Sequence, residues 1–208
     1  MEKRLFPPSA QTTPDSASPE DLATQLRDTR AAAERGEPIA QADLGLRYAD
    51  GDGVDQDYAE ASDWFRRAAE QGHTSAQNNL GVICASGQGV PLNFAEAARW
   101  FRKAADQGMA EAQVNLANLY RTGRGVTEDH SEAFNWFLKA AEQGHAGAQN
   151  SLAVMYFNGE GVKQDLKQAF AWIQKAADQG HPRARKLLVR IADLANADPH
   201  GTSRRTLN

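Results

Sequence analysis

The sequence predicts an all-α fold, an α/α superhelical solenoid of four 36-residue helix-pair repeats with a capping helix at each end. The first observation is that the tryptophans recur every 36 residues, at Trp64, Trp100, Trp136 and Trp172. The second is that leucine and glycine columns keep the same step: Leu44, Leu80, Leu116, Leu152; Gly72, Gly108, Gly144, Gly180. The third is an apolar period of about four residues, which is typical of helices. Since one helix pair cannot cover both its apolar faces, successive pairs are expected to stack.

Each repeat is predicted to begin with a helix that we call helix A. In the first repeat it runs from about Ile39 to Ala49, and Ala40, Leu44 and Tyr48 form one apolar stripe. The pattern breaks at Gly51–Gly53, where two glycines one residue apart suit a tight loop with positive φ angles. Helix A is therefore expected to end at this loop.

The second helix of each repeat, helix B, is predicted to begin at a capping residue. In the first repeat Asp57 would accept a hydrogen bond from a helix-start amide, and Glu60 would reach back to the amide of Asp57, as in a capping box. Equivalent pairs occur in the later repeats: Asn93/Glu96, Asp129/Glu132 and Asp165/Gln168. The buried face of helix B is predicted to carry Ala61, Trp64, Phe65 and Ala68. The helix should end at Gly72, because a left-handed C-terminal cap favours glycine.

The predicted domain organisation is one repeat solenoid over residues 19–197, flanked by a disordered tail at 1–18 and another at 198–208. The repeats are placed at about 37–72, 73–108, 109–144 and 145–180. A small residue follows each core leucine and should let neighbouring helices approach closely: Gly45, Gly81, Ala117 and Ala153.

Half-repeats are predicted at both ends. Residues 20–36 resemble a lone helix B, with Asp28 in the tryptophan position, which suits a solvated cap. Residues 182–197 resemble a lone helix A that has Ala184 and Leu188 in the repeat columns. The basic residues of this second cap are expected to face water: Arg183, Arg185, Lys186 and Arg190. Pro38 and Pro182 suit the first turn of a helix A.

Composition argues against several classes of function. The net charge is −4 and no basic patch stands out, so a nucleic-acid partner is not expected. No apolar run approaches the roughly 18 residues of a membrane span. The first residues lack the apolar core of a secretory signal, and Cys84 is the only cysteine, so no intrachain disulfide can form. These features predict a cytoplasmic location and favour it over the alternative of a periplasmic or secreted one.

The repeat resembles the Sel-1-like repeat family, and the third repeat shows the pattern in full. Its matching residues are Ala112, Leu116, Tyr120, Gly123, Gly125, Val126, Asp129, Ala133, Trp136, Lys139, Ala140, Ala141, Glu142, Gln143 and Gly144. The resemblance covers about 37–180 and departs from the family where Cys84 replaces a tyrosine and where Ala117 and Ala153 replace glycine. It implies a superhelix related to tetratricopeptide arrays, whose members are adaptors in signalling, secretion, envelope and quality-control complexes.

A partner is predicted to bind the concave face, which the A helices line in related arrays. Reading each helix A at about 100° per residue places mixed amide and apolar side chains on this face: Leu46, Asn78, Asn79, Val82, Val114, Asn115, Asn118, Arg121, Asn150, Val154 and Phe157. Amides could bond an extended peptide backbone, and apolar residues could hold its side chains. Two alternatives stay open: Asn79 and Asn115 could be scaffold residues, and Phe157 could pack against the loop at Gly159.

No metal, cofactor or catalytic residue is predicted. His73, His145 and His181 share one repeat position, but stacked helices lie about 8–10 Å apart, whereas zinc ligands must lie within about 2.1 Å of one ion. They are expected near helix starts. Asp50, Asp52, Asp55 and Asp57 crowd one loop, but the spacing of an EF-hand is absent. Cys84 is expected to be a core thiol.

The sequence therefore favours a protein-binding scaffold or adaptor over an enzyme, with a specific inhibitor as one form of that role. The alternative from another class is a hydrolase of cell-wall or β-lactam-type substrates, which has been suggested for some family relatives. A third interpretation is a structural spacer, which predicts no apolar patch on the concave face. The predicted partner is a protein or extended peptide, and nothing in the sequence supports a homo-oligomer.

Overall fold

The structure, a computed structural model, describes residues 19–197, in which every regular element is an α-helix. The helices are α1 (Pro19–Glu34), α2 (Pro38–Asp50), α3 (Tyr58–Glu70), α4 (Thr74–Ser86), α5 (Phe94–Asp106), α6 (Ala110–Thr122), α7 (His130–Glu142), α8 (Ala146–Asn158), α9 (Leu166–Asp178) and α10 (Pro182–Ala197). They fall into two compact units, the first ending at Gln107 with α1–α5 and the second beginning at Gly108 with α6–α10. The all-α prediction is confirmed.

Helix pairing follows the predicted repeat. In the first unit α2 packs on α3 and α4 on α5, while α1 packs on α2 and α3 on α4. In the second unit α6 packs on α7 and α8 on α9, while α7 packs on α8 and α9 on α10. The first member of each hairpin is a helix A and the second a helix B, so the predicted α/α solenoid class is confirmed.

The predicted cap at the start of helix B is present, but the capping box is not complete. Asp57 accepts hydrogen bonds from the amides of Ala59 and Glu60 at 2.8 and 3.1 Å. The amide of Asp57, which the sequence assigned to the Glu60 side chain, donates instead to the carbonyl oxygen of Tyr48 at 2.9 Å. The same bond recurs from Asn93 to Cys84, from Asp129 to Tyr120 and from Asp165 to Tyr156. The cap therefore joins the start of helix B to the last turn of helix A.

The loop between the two helices has the predicted backbone. Gly51 ends α2 with φ 72° and its amide donates to the carbonyl of Arg47. Gly53 also has a positive φ, of 74°. Since side chains disfavour this region, the two glycines allow the chain to turn directly into helix B.

In the first two repeats an aromatic ring explains the small residue after the core leucine. A Cβ on Gly45 would lie 2.7 Å from the ring of Phe65, and one on Gly81 would lie 2.6 Å from the ring of Phe101. Helix A and helix B therefore approach each other closely at this point, as predicted. The tryptophan column is buried at Trp64, Trp100 and Trp136, and Trp172 is partly buried. A cation three residues later lies over each ring, at 3.9–4.4 Å from its centroid: Arg67, Lys103, Lys139 and Lys175.

A buried glutamine network links successive helices, and sequence analysis did not predict it. In α4 the side-chain amide of Gln77 donates to the carbonyl of Ala69 in α3 at 3.1 Å. Its oxygen accepts from Gln107, which follows α5, at 2.7 Å. Gln107 also donates to the carbonyl of Gly72. The glutamine pair recurs as Gln41/Gln71, Gln113/Gln143 and Gln149/Gln179. Each network satisfies polar groups that burial would otherwise leave without partners.

The terminal helices fit their predicted roles as half-repeats. Asp28 of α1 is exposed, as are Arg183, Arg185 and Lys186 of α10, whereas Ala184 is fully buried. The Arg190 side chain and the predicted tails at 1–18 and 198–208 lie outside the described residues. Between residues 19 and 197, no helix combines the length and apolar character needed to cross a bilayer.

Candidate protein-binding face

The first unit exposes two apolar side chains at one repeat position of its A helices. Leu46 of α2 and Val82 of α4 are both half-buried. Each directly follows the glycine that contacts a phenylalanine of helix B, so it projects about 100° away from that contact. We call Leu46 and Val82 the A-helix face of the first unit.

Asn78 and Asn79, which the sequence placed on the same open face, are only 5% exposed each. The expectation of an exposed position is therefore wrong for both. Asn79 lies beside Leu80 at a fully packed turn of α4. Neither side chain presents its amide to solvent in this conformation, so the scaffold interpretation of Asn79 agrees with its burial.

The second unit presents a longer and more polar set. Val114, Asn115, Asn118 and Arg121 of α6 and Asn150 and Val154 of α8 are half-buried or exposed, and we call them the A-helix face of the second unit. Asn118 is partly occupied within its own helix, since its amide donates to the Val114 carbonyl at 3.0 Å and its oxygen accepts from Arg121 at 3.4 Å. Asn115 also has an interaction partner.

Phe157 is a core residue and not part of an open face. It is 2% exposed and lies in an apolar cluster with Ala153, Ala169 and Ile173. The fourth repeat has Ile173 where the other repeats have a phenylalanine in helix B. Phe157 of helix A therefore contributes an aromatic side chain to the cluster in the one repeat whose helix B lacks phenylalanine at this position. The loss of the phenylalanine at 173 was the signal in the sequence that could have identified this packing.

Two side-chain oxygens of α8 lack hydrogen-bond donors. The Oδ1 atoms of Asn150 and Asn158 are buried and find no partner among residues 19–197. The two residues lie four positions before and after Val154, on one side of the helix. A buried acceptor without a donor costs about 1–3 kcal/mol, and a ligand N–H group could reach these oxygens only after the two side chains turn toward solvent. Sequence analysis included Asn150 and missed Asn158.

The histidine column has a structural role at helix starts. Nδ1 of His73 accepts the amide of Ala76 at 3.2 Å, and Nδ1 of His145 accepts the amide of Ala148 at 3.1 Å. The predicted helix-start position is confirmed for both. Each ring nitrogen that accepts an amide has its lone pair occupied, which is incompatible with metal binding through that atom. No group of three His, Cys, Asp or Glu within the described residues is placed to hold a metal ion.

The cap at His73 predicts a stability that depends on pH. Burial lowers the pKa of His73 from 6.5, so the unfolded chain takes up a proton at a higher pH than the folded chain does. The contribution of His73 is therefore complete above about pH 6.5 and decreases as the pH falls through the lower folded pKa. Urea unfolding at pH 7.5 and 5.5 should show a smaller loss for His73→Asn, which caps without titrating, than for the natural chain. An equal loss in both proteins would contradict a role for His73.

Cys84 and the acidic loop also have structural explanations. Cys84 is 1% exposed, and burial, assisted by the nearby Glu96 carboxylate, raises the pKa of its thiol to about 11. It is therefore protonated at neutral pH and a poor nucleophile, as predicted for a core thiol. In the acidic loop, Asp57 caps α3 and Asp52 lies 3.4 Å from Arg47.

Comparisons with known proteins agree on the repeat. The family model described as Sel1 repeat matches residues 38–73, 74–109, 110–145 and 146–181. Each match begins one residue after the boundary predicted from the sequence.

Two solved structures share the fold at substantial identity. A Sel1 repeat protein from Oxalobacter formigenes is 35% identical with a TM-score of 0.75, covering 83% of this chain and 70% of that one. A protective antigen present in uropathogenic Escherichia coli strains, which displays an SLR fold, is 45% identical with a TM-score of 0.74. That match covers 76% of this chain but only 34% of the antigen. No curated protein matches the chain.

Proposed function

This chain belongs to the Sel1 repeat family, whose members are generally scaffolds for protein–protein interaction, and from this premise we propose that it binds a protein partner through the A-helix faces of its units. The observation that carries the proposal is the pair Leu46 and Val82. Both are apolar, both remain partly open to water, and they occupy the same position in consecutive repeats.

The chemistry of the faces supports an extended peptide as the bound element. In the first unit Leu46 and Val82 would cover apolar side chains of the partner, since removing apolar area from water favours association. In the second unit the half-buried Asn150 and Asn158 flank the half-buried Val154, and their buried oxygens would accept backbone N–H groups once the side chains turn toward solvent. An extended segment supplies backbone N–H donors and alternating side chains, which suits a surface that combines amides with isolated apolar residues.

The experiment that tests the proposal compares two matched double variants. Leu46→Ser/Val82→Ser removes the apolar face of the first unit. Ile39→Ser/Leu92→Ser removes two apolar side chains that are 72% and 58% exposed elsewhere in the same unit. After affinity capture from the native host and mass spectrometry have named the partner, titration calorimetry should show about tenfold weaker binding or more for the first variant, the loss expected if the pair belongs to the few residues that carry most of the binding energy. The second variant should bind like the natural chain.

Other outcomes would change the proposal. Equal binding by both variants would remove the A-helix face of the first unit as the site. Inhibition of the captured partner's activity would identify the chain as an inhibitor, whereas simultaneous binding of two proteins would identify an adaptor. Turnover of a β-lactam or cell-wall substrate by the purified chain would favour the hydrolase alternative instead.

A further inference from the structure

The B helices of the first unit enclose a cationic cleft of about 170 Å³. Its lining residues are Arg66, Glu96, Arg99, Trp100 and Lys103. We propose that this cleft is a second binding site, which takes a carboxylate side chain from an acidic segment of a protein partner. The site lies on helices α3 and α5 and shares no residue with either A-helix face.

Glu96, the one acidic residue among the lining residues, is already paired with two other residues of the cleft. Glu96 lies 2.9 Å from the Nη1 atom of Arg66 and accepts from the indole N–H of Trp100 at 3.4 Å. The hydrogen bond from Arg66 lowers the pKa of Glu96, so this carboxyl is ionised at neutral pH. Glu96 therefore holds Arg66 in position and neutralises one positive charge.

The remaining charge of the cleft is positive. Three cationic side chains face one carboxylate, so a net charge of +2 remains over the lining residues. Arg99 is exposed and makes no hydrogen bond among residues 19–197, although its charge also acts on the Glu96 carboxylate. Its planar guanidinium can bind both oxygens of a carboxylate at once. Arg99 is thus the donor that an incoming anion would find unoccupied.

Comparison of equivalent positions in the four repeats shows which feature of this cleft belongs to the second repeat alone. A cation over the tryptophan occurs in all four repeats, with Lys103, Lys139 and Lys175 at 3.9–4.2 Å from their ring centroids. The position of Arg99 is different, because the other repeats have Asp63, Asn135 and Ala171 there. The arginine at this position is a property of the second repeat alone, so the fold itself does not require it.

The lining also favours a side-chain carboxylate over phosphate. Glu96 stays ionised inside the cleft, and it repels a dianion more strongly than a monoanion. Trp100 adds an apolar component to the lining, and Lys103 lies over its ring at 4.2 Å, so the lining combines apolar surface with positive charge. An acidic peptide therefore matches both the charge and the surface of the cleft.

The test uses a fluorescently labelled peptide of alternating glutamate and alanine, with fluorescence anisotropy as the readout for the full chain. Arg99→Ala should weaken binding about 10- to 100-fold, the range expected for loss of charge-assisted hydrogen bonds. Lys139→Ala is the matched control, because it removes the same charge from a lysine that covers Trp136 in the second unit. It should change the affinity less than about twofold. Thermal unfolding followed by circular dichroism checks that both variants fold, as expected for two exposed side chains.

Four results would overturn the proposal. The first is absence of peptide binding by the natural chain. The second is an equal loss for Arg99→Ala and Lys139→Ala, which would show unspecific attraction between charges. The third is binding of a glutamine-for-glutamate peptide as tightly as the acidic one. Displacement of the peptide by inorganic phosphate at lower concentration than by free glutamate would replace the carboxylate with a phosphate ligand. None of these results bears on the A-helix faces, because no residue is shared.

Discussion

Replacing Gly161 with alanine is expected to lower the free energy of unfolding by about 2–5 kcal/mol, the sum of backbone strain and overpacking. Gly161 has φ 66°, and a Cβ at this position would overlap the carbonyl oxygen of His130, the first residue of α7. The obstacle is backbone and cannot rotate away. Denaturant unfolding followed by the far-ultraviolet circular dichroism signal would measure the loss.

A second glycine with positive φ separates the cost of the steric contact from the cost of the backbone strain. Gly144 has φ 91°, but a Cβ there would meet no atom within 4 Å. Gly144→Ala should therefore cost only the positive-φ strain, about 1–2 kcal/mol. If both substitutions destabilise the chain equally, the close approach of Gly161 to α7 contributes nothing. Failure of Gly161→Ala to fold, while Gly144→Ala folds, would agree with the prediction.

Replacing Gln77 with methionine is expected to cost about 2–4 kcal/mol, although the two side chains have similar volume. Methionine cannot donate to the carbonyl of Ala69 or accept from Gln107, bonds of 3.1 and 2.7 Å in the natural chain. Gln77 is buried, so the carbonyl of Ala69 would lose its side-chain donor without gaining water. Urea unfolding compared with the natural chain would measure the difference.

A double-mutant cycle with Gln107 assigns this cost to the network. Gln107→Ala alone removes the bonds to Gln77 and to the Gly72 carbonyl and the bond from the Thr74 hydroxyl. Because Gln107 is exposed, its loss should be smaller. The double variant should be less destabilised than the sum of the two single variants, by about 0.5–3 kcal/mol. Strict additivity would show that the two glutamines act independently.

Much of the fold could be predicted from local rules in the sequence. The caps at Asp57 and its equivalents, the positive φ of Gly51 and the close approach at Gly45 each follow from the chemistry of one residue type and its neighbours along the helix. The same residue types recur at equivalent positions of the four repeats, which strengthened each of these predictions. The prediction that Glu60 would accept the amide of Asp57 was wrong, because the Tyr48 carbonyl of the preceding helix A accepts that amide instead.

The candidate binding face could be predicted only in part. Leu46, Val82 and Val154 are partly open as expected, whereas Asn78, Asn79 and Phe157 are buried. A helical wheel gives the direction in which a side chain leaves its own helix. It does not show whether a residue of another helix packs against that side chain. Phe157 shows the consequence, since it is buried in a cluster with Ile173, which lies sixteen residues later in the chain and in the next helix.

The sequence by itself determined the repeat length, the helix boundaries and the residues that cap and turn the chain, because these depend on interactions within about one turn of helix or one loop. Only the tertiary structure decided that the glutamines join three helices, that Gly161 is needed for contact with α7, and that Arg99 lines a cleft without making a hydrogen bond there. The physical reason is that hydrogen bonds and close contacts between helices depend on distances in space, and residues about thirty positions apart have no fixed distance until the helices pack.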